Sequence, residues 1–165
     1  GFIRELAVFV GFDGAAMAAV RASAPAVLKH GDALTAAVYE HFLKFPHSAR
    51  FFLGADGAPD RTRIERRRHS LGRWLRESAE AALTHDFAYY LLGVGIAHSH
   101  REFGPGGKVP PQLMVATMSV TQSALADVLK AEMPVDAAYD AAVAWDKLLP
   151  IHLNVFLVWY FLPAA

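Results

Sequence analysis

The hydrophobic residues recur at helical spacing along almost the whole chain. Residues 2–10 carry their apolar side chains in the pattern of a short amphipathic helix. The apolar positions from Leu34 to Phe45 follow the same spacing and end before Pro46, which disfavours helical backbone in the residue before it. No segment shows the sustained period-two alternation of a strand. We therefore predict an all-α fold of seven or eight helices in a single domain, residues 1–165.

Capping residues and prolines predict where several helices begin and end. Asp13 and Asp60 each precede a helical pattern, and their side chains are expected to cap the first turn. Pro25 follows the alanine-rich run 15–24 and is expected either to open a further helix or to interrupt this one. Pro150 lies inside the last apolar pattern and is expected to kink that helix rather than to end it.

Residues 89–104 form the most informative stretch. Residues 89–97 are apolar all round, which predicts a helix deep in the core, and a glycine-rich break follows at 104–107. His98 and His100 stand between the two. An imidazole at the end of such a helix is well placed to ligate a metal or cofactor, although both histidines could instead be surface residues of a fraying helix end.

The composition narrows the class of protein. The chain has 16 basic and 16 acidic residues among its 165, so no net charge attracts it to nucleic acid or to an anionic membrane. Its longest apolar run, residues 153–163, is shorter than the roughly 20 residues that span a bilayer. We expect no nucleic-acid partner and no membrane span. A hydrophobic content of 54% indicates a buried apolar cofactor, an oligomer interface, or both.

The absence of cysteine excludes disulfides, thiolate metal sites and haem attached through Cys-x-x-Cys-His. It also fits a reducing, cytoplasmic location. Seven arginines lie between Arg61 and Arg76. They are expected to form a solvated face paired with Glu65 and Glu77, or alternatively a face that binds a cofactor propionate or a partner.

The remaining motifs leave few chemistries open. The chain has no phosphate-binding glycine loop, no Gly-x-Ser-x-Gly turn and no His-Glu-x-x-His. Side chains two residues apart on a helix point in directions that differ by about 200°. Only one of His98 and His100 can therefore face a given interior point. This favours a single axial ligand over a shared metal. An apolar pocket with one inward imidazole and one polar group opposite is what a haem site requires.

A series of short motifs points to a known family. In chain order they are Val38-Tyr39, Phe45-Pro-His47, Phe51-Phe52, Leu71-Gly-Arg-Trp74, Val94-Gly-x-x-His98, Gly104, Val109-Pro110 and Ala144-Trp145-x-Lys147. Together they resemble the protoglobins and the globin domains of globin-coupled sensors over nearly the whole chain. The long loops 54–60 and 104–110 are closer to the protoglobins. The resemblance implies a globin fold, a 3-over-3 helical sandwich with an extra N-terminal helix.

The resemblance also implies a non-covalent haem b whose iron is held by one proximal histidine. The number of residues that follow Trp74 before the proximal histidine in protoglobins leads to His98. The motif around the proximal histidine of the sensor domains fits His100. Helix geometry favours His100, because its neighbours one turn away are more apolar. We prefer His98 on the interhelix spacing and the long loops, and keep His100 as the alternative.

The other site residues follow from the same resemblance. Tyr39 matches the distal tyrosine, whose hydroxyl can donate to a bound gas ligand, although it could simply be a core tyrosine. Leu71 matches the residue above the haem. The chain lacks the usual aromatic residues at 113–117, which puts the shape of the pocket in doubt. The remaining pocket residues implied are Phe51, Phe52, Trp74, Leu75 and Met114, which core packing alone would also explain in part.

We therefore expect a haem protein that reversibly binds O2, CO or NO at a five-coordinate iron. It would act as a gas sensor or a single-domain globin, and would form a homodimer through its C-terminal helices. One alternative is a haem-free regulatory module that dimerises through the apolar segment 155–162. Another is a haem enzyme, such as a nitric oxide dioxygenase or a peroxidase, although no reductase domain accompanies the chain.

Overall fold

The computed structural model describes residues 1–80, 83–100 and 106–162. Within these ranges the chain forms eight α-helices, two short 3-10 helices (Arg50–Phe52 and Val158–Phe161) and one isolated bridge between Leu53 and Pro59. The predicted all-α class is confirmed. The helices are α1 Phe2–Val10, α2 Gly14–Lys29, α3 Gly31–Leu43, α4 Pro46–Ala49, α5 Arg61–Ala79, α6 His85–Ser99, α7 Pro111–Glu132 and α8 Val135–Leu157.

Side-chain caps fix the starts of three helices. Asp13 and Asp60 accept hydrogen bonds from backbone amides three residues later, at 2.9 and 3.1 Å, as predicted. Thr84 caps α6 in the same way through its hydroxyl oxygen, at 3.2 Å. Each bond satisfies an amide that the helix itself leaves unpaired.

The expectation for Pro25 is wrong, because α2 continues through it from Gly14 to Lys29. A proline inside a helix removes one backbone hydrogen bond and costs about 3 kcal/mol. Val20 and Val27 on either side are completely buried, and each such side chain contributes about 1.5–3 kcal/mol. Tertiary packing therefore outweighs the local cost. Pro150 likewise lies within α8 and does not end it, as predicted.

Helix α8 is the centre of the packing. It contacts α1, α2, α6 and α7, and Trp145, Leu148 and Leu149 on it are all buried. By length and composition the segment Val135–Phe161, which is 27 residues long and contains an 18-residue window with a mean hydropathy of 1.3, could cross a membrane. That is weak evidence, because the core helix of a water-soluble protein passes the same test, and half of the apolar window is buried here.

Helix α6 is only partly buried, so the prediction of a helix deep in the core is wrong for one of its faces. Tyr89 on that face is 73% exposed. The buried residues Phe87, Leu91, Gly95 and Ser99 recur every four positions, and α8 packs against this helix. The helix ends at Ser99, and the predicted break at Gly104 lies outside the described residues.

The apolar C-terminal segment 155–162 is largely covered by the chain itself. Val155 and Phe156 are 3% and 4% exposed. The strongly exposed residues are at the end, where Phe161 is 83% and Leu162 47% exposed. Much of the segment's hydrophobicity is therefore explained by packing within one chain.

A candidate cofactor cavity

An apolar cavity lies between α3, α5, α6 and α7, with the end of α8 closing one side. It encloses about 150 Å³, and the space between atoms reaches about 840 Å³ when its open mouth is included. The cavity contains one imidazole, that of His98, among its lining residues in the described part of the chain.

The position of the His98 ring is fixed by a hydrogen bond to its own helix. Nδ1 lies 2.7 Å from the carbonyl oxygen of Val94, one turn earlier. Because a carbonyl only accepts, Nδ1 carries the hydrogen. Burial lowers the pKa of His98, and the nearby Arg67 charge lowers it further, against the effect of the Val94 hydrogen bond. The ring is therefore neutral near pH 7, and its lone pair is on Nε2, as a metal ligand requires.

The backbone of His98 is tied to the C-terminal end of the chain. Its carbonyl oxygen accepts a hydrogen bond from the amide of Val109 at 3.1 Å. The carbonyl of Val109 accepts from the Tyr160 hydroxyl at 2.6 Å. Burial raises the pKa of Tyr160 to about 12, so this hydroxyl remains protonated and a donor.

His100 is placed differently and does not line the cavity. Its Nε2 donates to the carbonyl oxygen of Leu162 at 3.2 Å, and its Nδ1 accepts from the Ser99 hydroxyl at 2.8 Å. The ring meets the indole of Trp159 edge to face, with centroids 6.0 Å apart. Both nitrogens are thus engaged at the C-terminal end of α6.

Tyr39 is 8% exposed and contributes its side chain to the cavity from α3. Its ring packs edge to face against Phe42 and Phe52, each with centroids 5.3 Å apart. Burial raises the pKa of the hydroxyl, and the positive charge of Arg67 only partly opposes this effect. The hydroxyl is consequently neutral and able to donate across the physiological pH range.

Two other polar side chains of the wall, those of Ser48 and Thr121, are already bonded to backbone carbonyls. The Ser48 hydroxyl donates to the carbonyl of Phe42 at 2.6 Å, and the Thr121 hydroxyl donates to that of Thr117 at 2.9 Å. The Thr121 bond lies within one helical turn, whereas the Ser48 bond joins α4 to the end of α3. Tyr39 and His98 therefore carry the distinctive chemistry of the cavity.

The structure brings most of the predicted pocket residues together. Leu75 is buried, but beside a small second cavity rather than this one. The predicted residues that line the main cavity are Tyr39, Phe51, Phe52, Leu71, Trp74, His98 and Met114. Residues that the sequence did not single out as pocket residues include Val38, Phe42, Val94, Leu113, Thr117, Met118 and Phe156. The helical spacing of 114, 117, 118 and 121 was a usable signal for the α7 wall.

Trp74 and His152 form an unusual buried pair beside the cavity. His152 is completely buried in α8, and its ring lies 5.8 Å from that of Trp74. Among the described residues, neither His152 nitrogen nor Trp74 Nε1 has a hydrogen-bond partner. A buried unpaired donor or acceptor costs about 1–3 kcal/mol. Sequence analysis missed His152, because a lone histidine in an apolar helix gives no periodic signal.

The arginine-rich face of α5 is partly neutralised. Arg68 pairs with Glu65 at 2.7 Å, as expected, and Arg61 pairs with Glu40 of α3 at 3.2 Å. Such exposed pairs contribute little to stability. Among the described residues, no group of three or more His, Asp or Glu side chains could hold a metal ion. The cavity, rather than a surface cluster, is the candidate site.

Comparison with known families identifies this architecture. A family model described as Protoglobin matches residues 2–164. The chain belongs to the protoglobin family. This protoglobin also superposes on the globin domain of the Geobacter sulfurreducens globin-coupled sensor with a TM-score of 0.79. That match has 15% sequence identity and covers 96% of this chain and 97% of the other, so it shows the shared globin fold. No curated protein matches the sequence.

Proposed function

We propose that this protoglobin binds haem b non-covalently and reversibly holds O2, CO or NO, with His98 as the axial ligand. The observation that carries the proposal is the His98 ring at the wall of the apolar cavity. Its Nδ1 donates to Val94 at 2.7 Å, which leaves the lone pair on Nε2. A backbone bond of this kind fixes the tautomer and the orientation of a ligating imidazole.

The residues present fit a haem. Aromatic and aliphatic side chains form the wall, as a porphyrin needs, and the cavity offers one neutral imidazole. A bound haem would supply the iron at which a diatomic gas coordinates. No second imidazole lines the cavity in the described part of the chain, which supports a five-coordinate iron with one position left for the gas.

Tyr39 would provide a hydrogen-bond donor to the bound gas. Its neutral hydroxyl belongs to a ring that Phe42 and Phe52 hold in place. A fixed donor in an apolar, water-poor site stabilises a polar ligand more than a donor in water does. Phe51, Leu71 and Met114 would exclude water around it.

His100 is the weaker candidate for the ligand. Both of its nitrogens are engaged, with Ser99 and with the carbonyl of Leu162, outside the cavity lining. Its use as a ligand would require these two bonds to break. We therefore assign it the role of holding the end of α6 against the C-terminal segment.

The deciding experiment is a comparison of ferrous and ferrous-CO absorption spectra for wild type, His98→Gly and His100→Gly, each expressed with added haem precursor. We expect His98→Gly to lose the histidine-ligated spectrum and to regain it when free imidazole is added. His100→Gly should keep the wild-type spectrum. Loss in His100→Gly alone would move the ligand to His100. A wild-type protein without a Soret band would favour a haem-free regulatory module.

We also propose that the protein works as a cytoplasmic homodimer, as a gas sensor or a single-domain globin. Support for a dimer comes from Val135 and Tyr139, one turn apart on α8 and 83% and 69% exposed. Exposed apolar residues in a cluster are typical of protein interfaces. Sedimentation of wild type and Tyr139→Glu tests this, because the charge should produce a monomer. A wild type that is already monomeric would exclude it.

A further inference from the structure

His152 of α8 is a buried histidine surrounded by aromatic side chains. It lies between α5 and α6, with its ring 5.8 Å from that of Trp74 and 5.2 Å from that of Phe87, edge to face in both cases. The side chain is 0% exposed. Nothing in its surroundings among the described residues satisfies either ring nitrogen, so packing alone does not explain why a histidine stands here.

The chemistry of the two neighbours is complementary. An indole nitrogen is a donor only, and a neutral imidazole always presents one acceptor nitrogen. Burial lowers the pKa of His152 to about 3, so the ring is neutral and keeps that acceptor at physiological pH. Trp74 Nε1 is itself buried without a partner among the described residues. A donor and an acceptor that each lack a partner thus stand side by side.

Both helices that carry this pair also form the cavity. The Trp74 side chain is part of the cavity wall, and so is Phe156, one turn after His152 on α8. A molecule that fills the cavity therefore contacts an indole that also packs against His152. The two rings meet edge to face with their centroids 5.8 Å apart, so a hydrogen bond between them requires a change in the orientation of at least one ring.

We propose that His152 is a positioning residue for the cavity, which accepts a hydrogen bond from Trp74 Nε1 when the cavity is filled. This bond fixes the indole against the bound molecule and couples occupancy of the cavity to α8. With haem as the occupant, the inference rests on the proposed function. Cavities of about 150 Å³ also accept small apolar molecules such as benzene. With benzene as the occupant, the inference does not rest on the proposed function.

The three tryptophans of the chain provide their own standards. Trp145 Nε1 donates to the Ser23 hydroxyl at 2.9 Å and represents a bonded indole. Trp159 Nε1 is buried without a partner among the described residues and does not line the cavity, so it represents an unbonded one. The Trp74 indole is expected to change from the unbonded state to the hydrogen-bonded state when the cavity fills.

The test is ultraviolet resonance Raman spectroscopy of the indole band that reports N–H hydrogen bonding, which haem ring currents do not disturb. The full chain is measured alone, with benzene, and as the ferrous-CO haem complex. Trp74→Phe assigns the Trp74 component. His152→Leu removes the acceptor at similar volume, and His152→Gln restores a side-chain acceptor.

We expect the Trp74 component to shift to the position of Trp145 on filling, to stay at the position of Trp159 in His152→Leu, and to shift again in His152→Gln. A Trp74 component that does not move in wild type with either occupant overturns the inference. So does an equal shift in wild type and His152→Leu. The first of these results needs only wild type and Trp74→Phe, so the test does not depend on the folding of a His152 variant. Failure of haem uptake with a shift on benzene binding would overturn the proposed function and leave the inference standing.

Discussion

Gly95 of α6 approaches the backbone of α8 so closely that a Cβ at this position would stand 2.7 Å from the carbonyl oxygen of Phe156. It would also stand 3.0 Å from the Phe156 Cα. Since the obstacle is backbone, it cannot rotate away. His98, three residues after Gly95, and Phe156 both line the cavity. The absence of a side chain at Gly95 therefore sets the separation of two cavity walls.

We expect Gly95→Ala to lower the free energy of unfolding by about 1–3 kcal/mol, the usual cost of overpacking a well-packed contact. Gly93→Ala is the matched control, because Gly93 is exposed on the same helix and a Cβ there meets nothing within 4 Å. Gly93→Ala should raise the free energy of unfolding by about 0.5–1 kcal/mol, because alanine has the higher helix propensity. Urea denaturation measures both. Equal effects of the two substitutions would contradict the close approach.

Ser23 and Trp145 form a buried hydrogen bond between α2 and α8, with 2.9 Å between the serine oxygen and the indole nitrogen. Ser23→Ala would leave the indole donor unpaired in the core and should cost about 1–3 kcal/mol of stability. Ser70→Ala removes an exposed serine whose hydroxyl bonds only to its own helix, at 3.2 Å. That control should change stability by less than about 0.5 kcal/mol. Thermal unfolding of both variants is the measurement.

Tyr39→Phe should accelerate dissociation of O2 from the haem-loaded protein. The loss of one neutral hydrogen bond of about 0.5–1.5 kcal/mol corresponds to a rate increase of about 2- to 12-fold. Because burial raises the pKa of Tyr39, the wild-type rate should show no Tyr39 titration between about pH 6 and pH 9. Stopped-flow displacement measures these rates. Tyr90→Phe, outside the cavity lining, is the control, and an equal effect there would exclude a specific role for Tyr39.

The buried His152 predicts a particular dependence of stability on pH. Its pKa falls from an ordinary value near 6.5 to about 3 in the folded chain. Between these values the unfolded state binds more protons, so stability present above about pH 6.5 is lost as the pH falls toward 3. The slope from this one group reaches about 1.4 kcal/mol per pH unit. Urea titrations of wild type and His152→Leu should show the shallower acid loss in the variant, and parallel curves would contradict a buried neutral imidazole.

The class of fold could be predicted from local signals in the sequence, whereas most of the pocket residues were implied by the resemblance of short motifs to the protoglobins. Asp13 and Asp60 cap their helices, since a capping bond spans only three residues. Leu71 and Trp74 belong to one of the motifs that carry this resemblance, and both line the cavity. Pro25 was misjudged for the opposite reason: the burial of Val20 and Val27, which offsets its cost, is a tertiary property.

Three features could not be obtained from the chain alone. The exposed face of α6 at Tyr89 depends on which helices pack against it, and its composition gives no sign of this. The pairing of His152 with Trp74 joins positions far apart in sequence. The distinction between His98 and His100 depends on the hydrogen bonds of each ring, which the spacing of two residues cannot reveal.

Val109 connects the end of α6 to Tyr160. Two hydrogen bonds, 3.1 and 2.6 Å long, lead from the backbone of His98 through Val109 to the hydroxyl of Tyr160. A change in the position of Tyr160 would therefore alter the bond at Val109, which in turn holds the carbonyl of the last turn of α6. The placement of the His98 backbone thus depends on a residue of the segment that follows α8.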